Sequence, residues 1–428
     1  MVSHWSVLPV VMTTVIGLCQ LLVNVASASR QFMAVTSAYL DYQASAPIDP
    51  AVLAAMNQAY AIPGNPSAEE HIFGWRAREH VNIARRQVAD LINALPEEVY
   101  FTSGASEANN IAILGAARNA PESRRRIVIS AIEHKSVSRP ARALENEGFY
   151  VDVLPVGRDG LVNLNALEGR LAADVAVISV MAVNSEIGTI QPTSSIATLG
   201  RAVGAFVHVD AAQALAAGPV DFRAWGADSL AISGHKICGP SGVGALVVAE
   251  DAPWQLKPIS FGGGQEGGLR PGTVPVALCV GFGVACDLLG QHGQQERARI
   301  SDMRSRLAEA LRARGVDFAI TAEPAPRHPG CLHIRLPGID AADLLTRLQP
   351  HVGASTGSAC NSGVLGPSDI LLAIGMPYEE AAECIRLSLG RFTTLDEIEG
   401  AAVRIASAIG AQRHLASRII TGFNQNLA

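Results

Sequence analysis

Ser233-Gly234-His235-Lys236-Ile237-Cys238-Gly239-Pro240 places Lys236 26 residues after Asp210, the last residue of the apolar run closing on His208-Val209-Asp210. Val203 to Val209 reads as a short buried strand, and a side chain at the end of such a strand faces the crevice of an α/β sheet. Working outward from this pair, short apolar runs alternate with amphipathic stretches from Thr36 onward. That alternation predicts an α/β fold on a largely parallel sheet. The spacing predicts strands at Val99–Thr102, Arg126–Ser130, Tyr150–Leu154, Val175–Met181, Ala205–Asp210, Ser229–Ser233 and Gly244–Val248. Helices are expected at Glu69–Ile92, Glu107–Ala117, Ser138–Glu147, Leu164–Ala172 and Ser195–Val203.

Six glycines crowd Ser260–Thr273, which must be loop. Val274 to Leu311 then reads as one long helical region leading to a smaller unit, with a strand at Cys331–Leu336 and a helix at Ala341–Leu348. The expected organisation is a large domain over 46–293 and a small one made of 36–45 with 294–428.

At 428 residues the chain can bury a large core. A net charge of −6 with scattered basic residues argues against a nucleic-acid surface. The seven cysteines have no CxxC spacing, so neither a zinc site nor a disulfide framework is indicated, and a reducing, cytoplasmic setting is expected. Residues 1–35 form an apolar extension with no charge before Arg30. It is long enough to span a bilayer, and three readings compete: an anchor, a secretory signal, or codons upstream of a true start at Met33. The last is the expectation adopted, with membrane association only if the apolar segment is real.

The lysine and the aspartate solve two halves of one electronic problem. A lysine amine can hold pyridoxal 5'-phosphate as a Schiff base, and a carboxylate beside the pyridine nitrogen keeps that nitrogen protonated. Three further stretches belong with them. In Phe101-Thr102-Ser103-Gly104-Ala105-Ser106-Glu107 a strand turns into a helix whose N-terminus, at Ala105 and Ser106, can bind a phosphate. Ser103 or Ser106 acting as a simple cap is the plainer account. His134, just past a strand, could stack on a ring and move protons, or merely cap a helix. Cys360, in Gly357-Ser358-Ala359-Cys360-Asn361-Ser362-Gly363, sits among small polar residues and would be a strong nucleophile as thiolate. Cys279, Cys286, Cys331 and Cys384 lie in apolar surroundings and read as core. Arg386, between apolar neighbours, must find an anion: an amino-acid carboxylate or a structural partner.

Together with Leu40-Asp41-Tyr42, Gly64-Asn65-Pro66-Ser67, Glu133-His134-Lys135, Asn184-Ser185-Glu186-Ile187-Gly188, Gly262-Gly263-Gly264-Gln265-Glu266 and Arg270-Pro271-Gly272-Thr273, these motifs resemble a cysteine desulfurase of the class V aminotransferase family, in its NifS/IscS-like group. The resemblance runs from about Tyr39 to Thr394. It implies fold type I of the pyridoxal phosphate enzymes, with a mostly parallel seven-stranded sheet in the large domain and a smaller α+β C-terminal domain. It also implies a homodimer converting L-cysteine to L-alanine, the sulfur left as an enzyme persulfide for a protein acceptor. Carried over by motif, Lys236 is the Schiff-base lysine, Asp210 the pyridine-nitrogen partner, Gln213 a donor to the ring hydroxyl and His134 the stacking acid/base. Ala105, Ser106, Ser233 and His235 hold the phosphate, with Thr273 from the neighbouring subunit. Asn184 and Arg386 hold the substrate carboxylate, and Cys360 accepts the sulfur.

Cys238 stands where the family commonly has an aromatic residue and Ser241 where lysine is frequent, but neither carries the implied chemistry. The stretch near Cys331 and the tail from Gln412 diverge more, so recognition of an iron–sulfur scaffold does not carry over. Two rivals stay open: a lyase or transaminase of the same fold acting on another amino acid such as selenocysteine, and a non-catalytic cofactor-binding partner protein.

Overall fold

The computed structural model describes residues 37–357 and 366–425, with side chains as far as His414. The apolar extension and Cys360 lie outside the described residues.

The strands, in chain order, are β1 (Ala38–Tyr39), β2 (Val99–Thr102), β3 (Arg126–Ser130), β4 (Tyr150–Leu154), β5 (Val175–Ser179), β6 (Phe206–Asp210), β7 (Ser229–Ser233), β8 (Gly244–Val248), β9 (Ala319–Ile320), β10 (Cys331–Arg335), β11 (Val352–Gly353) and β12 (Cys384–Ser388). Seven of them form one sheet in the order β2-β8-β7-β6-β5-β3-β4. Strands β4, β3, β5, β6 and β7 run parallel, whereas β8 is antiparallel to both its neighbours. Every residue of β5, β6 and β7 is buried, as continuous Val/Ile/Leu-rich strands covered on both faces must be.

This topology builds the crevice. The carboxyl ends of β3, β6 and β7 open at one edge, delivering His134, Asp210 and the turn to Lys236. Because β8 runs the other way, its amino end reaches the same edge and brings Ser241 and Gly242 there. The helix Ala105–Asn119 lies across β5, β6, β7 and β8, its N-terminus at that edge. On the other face pack Ile72–Leu91 and the 38-residue helix Val276–Ala313. The latter is long and apolar enough to cross a membrane, but half of its apolar window is buried as the spine of the core.

The second part is α+β. Strands β12-β10-β9 form an antiparallel sheet, β1 pairs with β11, and the helices Ala341–Leu348 and Leu395–Gln425 complete it. Its apolar core draws Ala38 and Leu40 from the opening segment into contact with Leu332, Ile385 and Ile405.

Element positions agree closely with the sequence reading, and the differences have local causes. The helix Lys135–Ala143 starts earlier than Ser138 because His134 Nδ1 accepts from Ser136 N–H as the N-cap. Strand β5 stops at Ser179, short of Met181, and Leu164–Glu168 is shorter than expected. The helix Pro50–Tyr60 was not anticipated, although Asp49 as side-chain cap and Pro50 in the first turn are its sequence signature.

Close backbone approach ties the sheet to the crevice at Gly244. A Cβ there would lie 2.4 Å from the Ile232 carbonyl oxygen and 2.8 Å from Gly104 Cα. Gly244→Ala is therefore expected to cost about 2 kcal/mol or more in urea unfolding. By contrast, Gly400→Ala, in an open helical position, should gain about 0.5–1 kcal/mol. Equal effects at the two positions would contradict this packing.

Candidate active site

The crevice is a cavity of about 470 Å³. Its walls bring together Ala105, Ser106, His134, Asp210, Gln213, Ser233, His235, Lys236 and Arg386, residues spread over most of the chain. At one end the helix Ala105–Asn119 begins at Gly104, whose φ of 149° is a conformation suited to glycine. No side chain caps this N-terminus, so its first N–H groups are presented to the cavity among Ser103, Ser106, Ser233 and His235.

Lys236 ends the short turn Gly234–Lys236 that follows β7. Its Nζ donates to the carbonyls of Gln43 at 2.6 Å and Ala44 at 2.9 Å. Gln213 Nε2 donates to the same Gln43 carbonyl at 2.8 Å. The opening segment thus steadies both groups, a role that backbone carbonyls leave no trace of in sequence. His235, bonded through Nδ1 to Ser45 Oγ, is pushed down to about 4 by burial and by the charge of Lys236, and so is neutral.

Asp210 is buried, and two donors hold it: Ala212 N–H at 3.0 Å and Asn109 Nδ2 at 2.9 Å. His134 caps its helix and also lines the cavity. Its Nδ1 accepts from Ser136 N–H and bonds Ser136 Oγ at 2.7 Å. Burial lowers its pKa, Lys236 adds to the effect, and Asp210 opposes it.

Arg386 is also doubly employed. Only 2% exposed, it lines the cavity and pairs with Asp41, Nη2 to Oδ1 at 2.6 Å. Nη2 also donates to Ser355 Oγ and Nη1 to the Ser185 carbonyl, while Nε is buried without a hydrogen-bond partner. Asp41 was not anticipated as its partner, because that pairing spans 345 residues of chain.

Two expected residues stand apart. Asn184 is buried in its own turn, with Oδ1 accepting from Glu186 and Ile187 N–H, and it does not line the cavity. Thr273 is exposed on the glycine-rich loop. That loop is tied to the site through Arg270, whose Nε donates to Glu107 Oε1 at 3.1 Å.

Among the described cysteines none is available as a thiolate. Burial pushes Cys331 up to about 11 and Cys238 and Cys384 up to about 12, and raises Cys279 and Cys286 further. Gly357, three residues before Cys360, lines the cavity.

The donor set fits pyridoxal phosphate. An uncapped helix N-terminus with hydroxyls suits the phosphate, a buried carboxylate suits a protonated ring nitrogen, and a lysine lies on the same wall.

Glu133, next to His134, is buried and accepts from Ser130 Oγ and, at 2.9 Å, from Met181 N–H. Burial pushes it from 4.5 up to about 8, so it is neutral at pH 7. Its folded-state pKa is raised, so its stabilisation is full below about pH 4.5 and is lost as pH rises through about 8. Glu133→Gln, neutral at every pH, should flatten the fall in melting temperature over that window; curves parallel to wild type would contradict the assignment.

The sequence profile of the aminotransferase class V family matches residues 38–400. Cysteine desulfurase from Mus musculus is 41% identical over 363 residues, spanning 84% of this chain and 79% of that protein. Among solved structures, a NifS-like protein superposes with a TM-score of 0.81 at 30% identity, over 87% of this chain and 99% of that one. SspA in complex with cysteine gives 0.73 at 33% identity, over 84% and 100%. The profile match starts at the first described strand and ends inside the last helix, so the chain belongs to the aminotransferase class V family, in the company of its cysteine desulfurases.

Proposed function

We propose that this protein is a pyridoxal phosphate-dependent cysteine desulfurase, taking sulfur from L-cysteine as a persulfide on Cys360 and releasing L-alanine. What carries the reading is one observation: Gly357, at the stem of the segment bearing Cys360, shares a cavity with Lys236, Asp210 and Arg386. A lysine, a ring-nitrogen carboxylate and a cation for an amino-acid carboxylate therefore converge where a nucleophilic cysteine can be delivered. The thiols of the described cysteines are raised by burial, which leaves that task to a residue such as Cys360.

Ala105, Ser106, Ser233 and His235 would hold the phosphate, Asp210 the ring nitrogen, Gln213 the ring hydroxyl, and Lys236 the aldehyde. When bound, pyridoxal phosphate supplies an electron-accepting ring that stabilises negative charge at the substrate Cα. Arg386 holds the carboxylate through donors that Asp41 and Ser355 keep in place. Lys236 Nζ takes the Cα proton, and the carbonyls of Gln43 and Ala44 accept its hydrogen bonds as it does so. His134, neutral with Nδ1 engaged by Ser136, faces the same cavity as a donor through Nε2 rather than as a carrier of charge. Cys360 thiolate then attacks the substrate sulfur. An S–S bond forms and the C–S bond breaks; its electron pair stays on carbon, which takes a proton to become the alanine methyl, and Lys236 Nζ gives back to Cα the proton it removed. Sulfur is oxidised as carbon is reduced, so no outside oxidant is required.

A second copy of the chain is part of the proposal, supported by the exposed apolar side chains Tyr60, Phe73 and Trp75 and by Thr273 standing outside this cavity. The sulfur passes to a protein acceptor.

With a reductant present, the loaded protein should release alanine and sulfide from L-cysteine. Cys360→Ala should keep the absorbance of bound cofactor and lose at least a hundredfold in sulfide release. Retained turnover in Cys360→Ala would overturn the persulfide route in favour of a lyase on another amino acid.

A further inference from the structure

Asn109 is fully buried in the helix Ala105–Asn119, four residues beyond its first residue, and has no part in the chemistry above. Its carboxamide is nonetheless in contact with both arms of the site. Nδ2 donates to Asp210 Oδ2 at 2.9 Å and to Ser136 Oγ at 2.8 Å. Oδ1 lies 2.9 Å from His208 Nε2, and His208 Nδ1 lies 2.8 Å from Ser229 Oγ.

Donor inventory fixes the direction of every bond. A carboxylate only accepts, so the amino side of Asn109 must face Asp210, and with it Ser136. The carbonyl side then faces His208, which must carry its proton on Nε2 and accept from Ser229 at Nδ1. Ser136 Oγ, already accepting from Asn109, gives its own proton to His134 Nδ1. Ser136 N–H donates to that same nitrogen at 3.1 Å, so His134 also carries its proton on Nε2. His208 and Asp210 are alternate residues of β6 and so share one face, against which this helix packs. Burial holds His208 at about 3, so it stays neutral and the chain of donors has one sense.

We propose that Asn109 is a positioning residue of the site: one buried carboxamide, oriented by His208, keeps Asp210 a hydrogen-bonded anion and, through Ser136, holds His134 as an Nε2–H imidazole. The proposal rests on the reading that the cavity takes pyridoxal phosphate. Only an amide meets the requirement at this position. Leucine has the size but no donor, and aspartate would set a second carboxylate against Asp210, so that the pair would share a proton and Asp210 would lose its charge.

The test begins with wild-type apoprotein labelled with 15N-histidine. His208 and His134 should both show a protonated Nε2 and a bare Nδ1; a protonated Nδ1 on His208 would mean that Asn109 faces the other way, and would overturn the proposal without any variant or cofactor. Asn109→Leu and the isosteric Asn109→Asp are then titrated with 15N-labelled pyridoxal phosphate. Affinity should fall about tenfold or more, and the ring nitrogen of the bound fraction should lose the proton it carries in wild type. A purely structural role would lower the melting temperature yet leave that nitrogen protonated, and this outcome would also overturn the proposal. Failure of wild type to bind the cofactor would count against the proposed function instead, while the histidine signals would still report on Asn109.

Discussion

A carboxylate buried at the end of a parallel strand is the constraint on which the rest of this structure depends. Asp210 has lost most of its water, and such a charge persists only where donors replace the solvent. Ala212 N–H supplies one donor from the turn after β6, and Asn109 supplies the other from a helix lying across the strand ends. Holding Asn109 requires that helix to start at the crevice edge, and the same placement leaves its uncapped N-terminus in the cavity. The anion site and the cation-holding carboxylate are thus two consequences of one packing decision.

A similar economy governs Arg386. Its guanidinium is buried, and Asp41, Ser355 and the Ser185 carbonyl share the cost of desolvating it. Those three partners come from the opening segment, the stem of the cysteine-bearing segment and the turn after β5. One side chain therefore joins the opening segment and the stem of the cysteine-bearing segment to the sheet that carries Lys236. The opening segment is drawn in further by Lys236 and Gln213, which donate to the Gln43 carbonyl, so the first described residues belong to the site as much as to the core around Leu40.

Much of this was legible in the amino-acid sequence because parallel strands buried on both faces leave uninterrupted runs such as Ile127-Val128-Ile129, and their ends mark the crevice. Lys236, Asp210 and His134 could be placed in that way, each within a few residues of a readable strand end. Asn109 could not, since an amide in mid-helix looks like any exposed polar residue until the strand beneath it is known. Asp41 was hidden by distance along the chain, and the carbonyls that steady Lys236 by having no side-chain identity at all. Asn184 is the instructive opposite: its motif drew attention, but its carboxamide is occupied by the turn that it caps.

Assignment of the cofactor to the lysine after β7 can be measured directly, because the chain contains three lysines, Lys135, Lys236 and Lys257. Protein loaded with pyridoxal phosphate is reduced with borohydride and digested, and the modified peptide is identified by mass. One pyridoxyl group is expected, on Lys236; a label on Lys135 or Lys257 with Lys236 unmodified, or no label at all, would overturn the assignment.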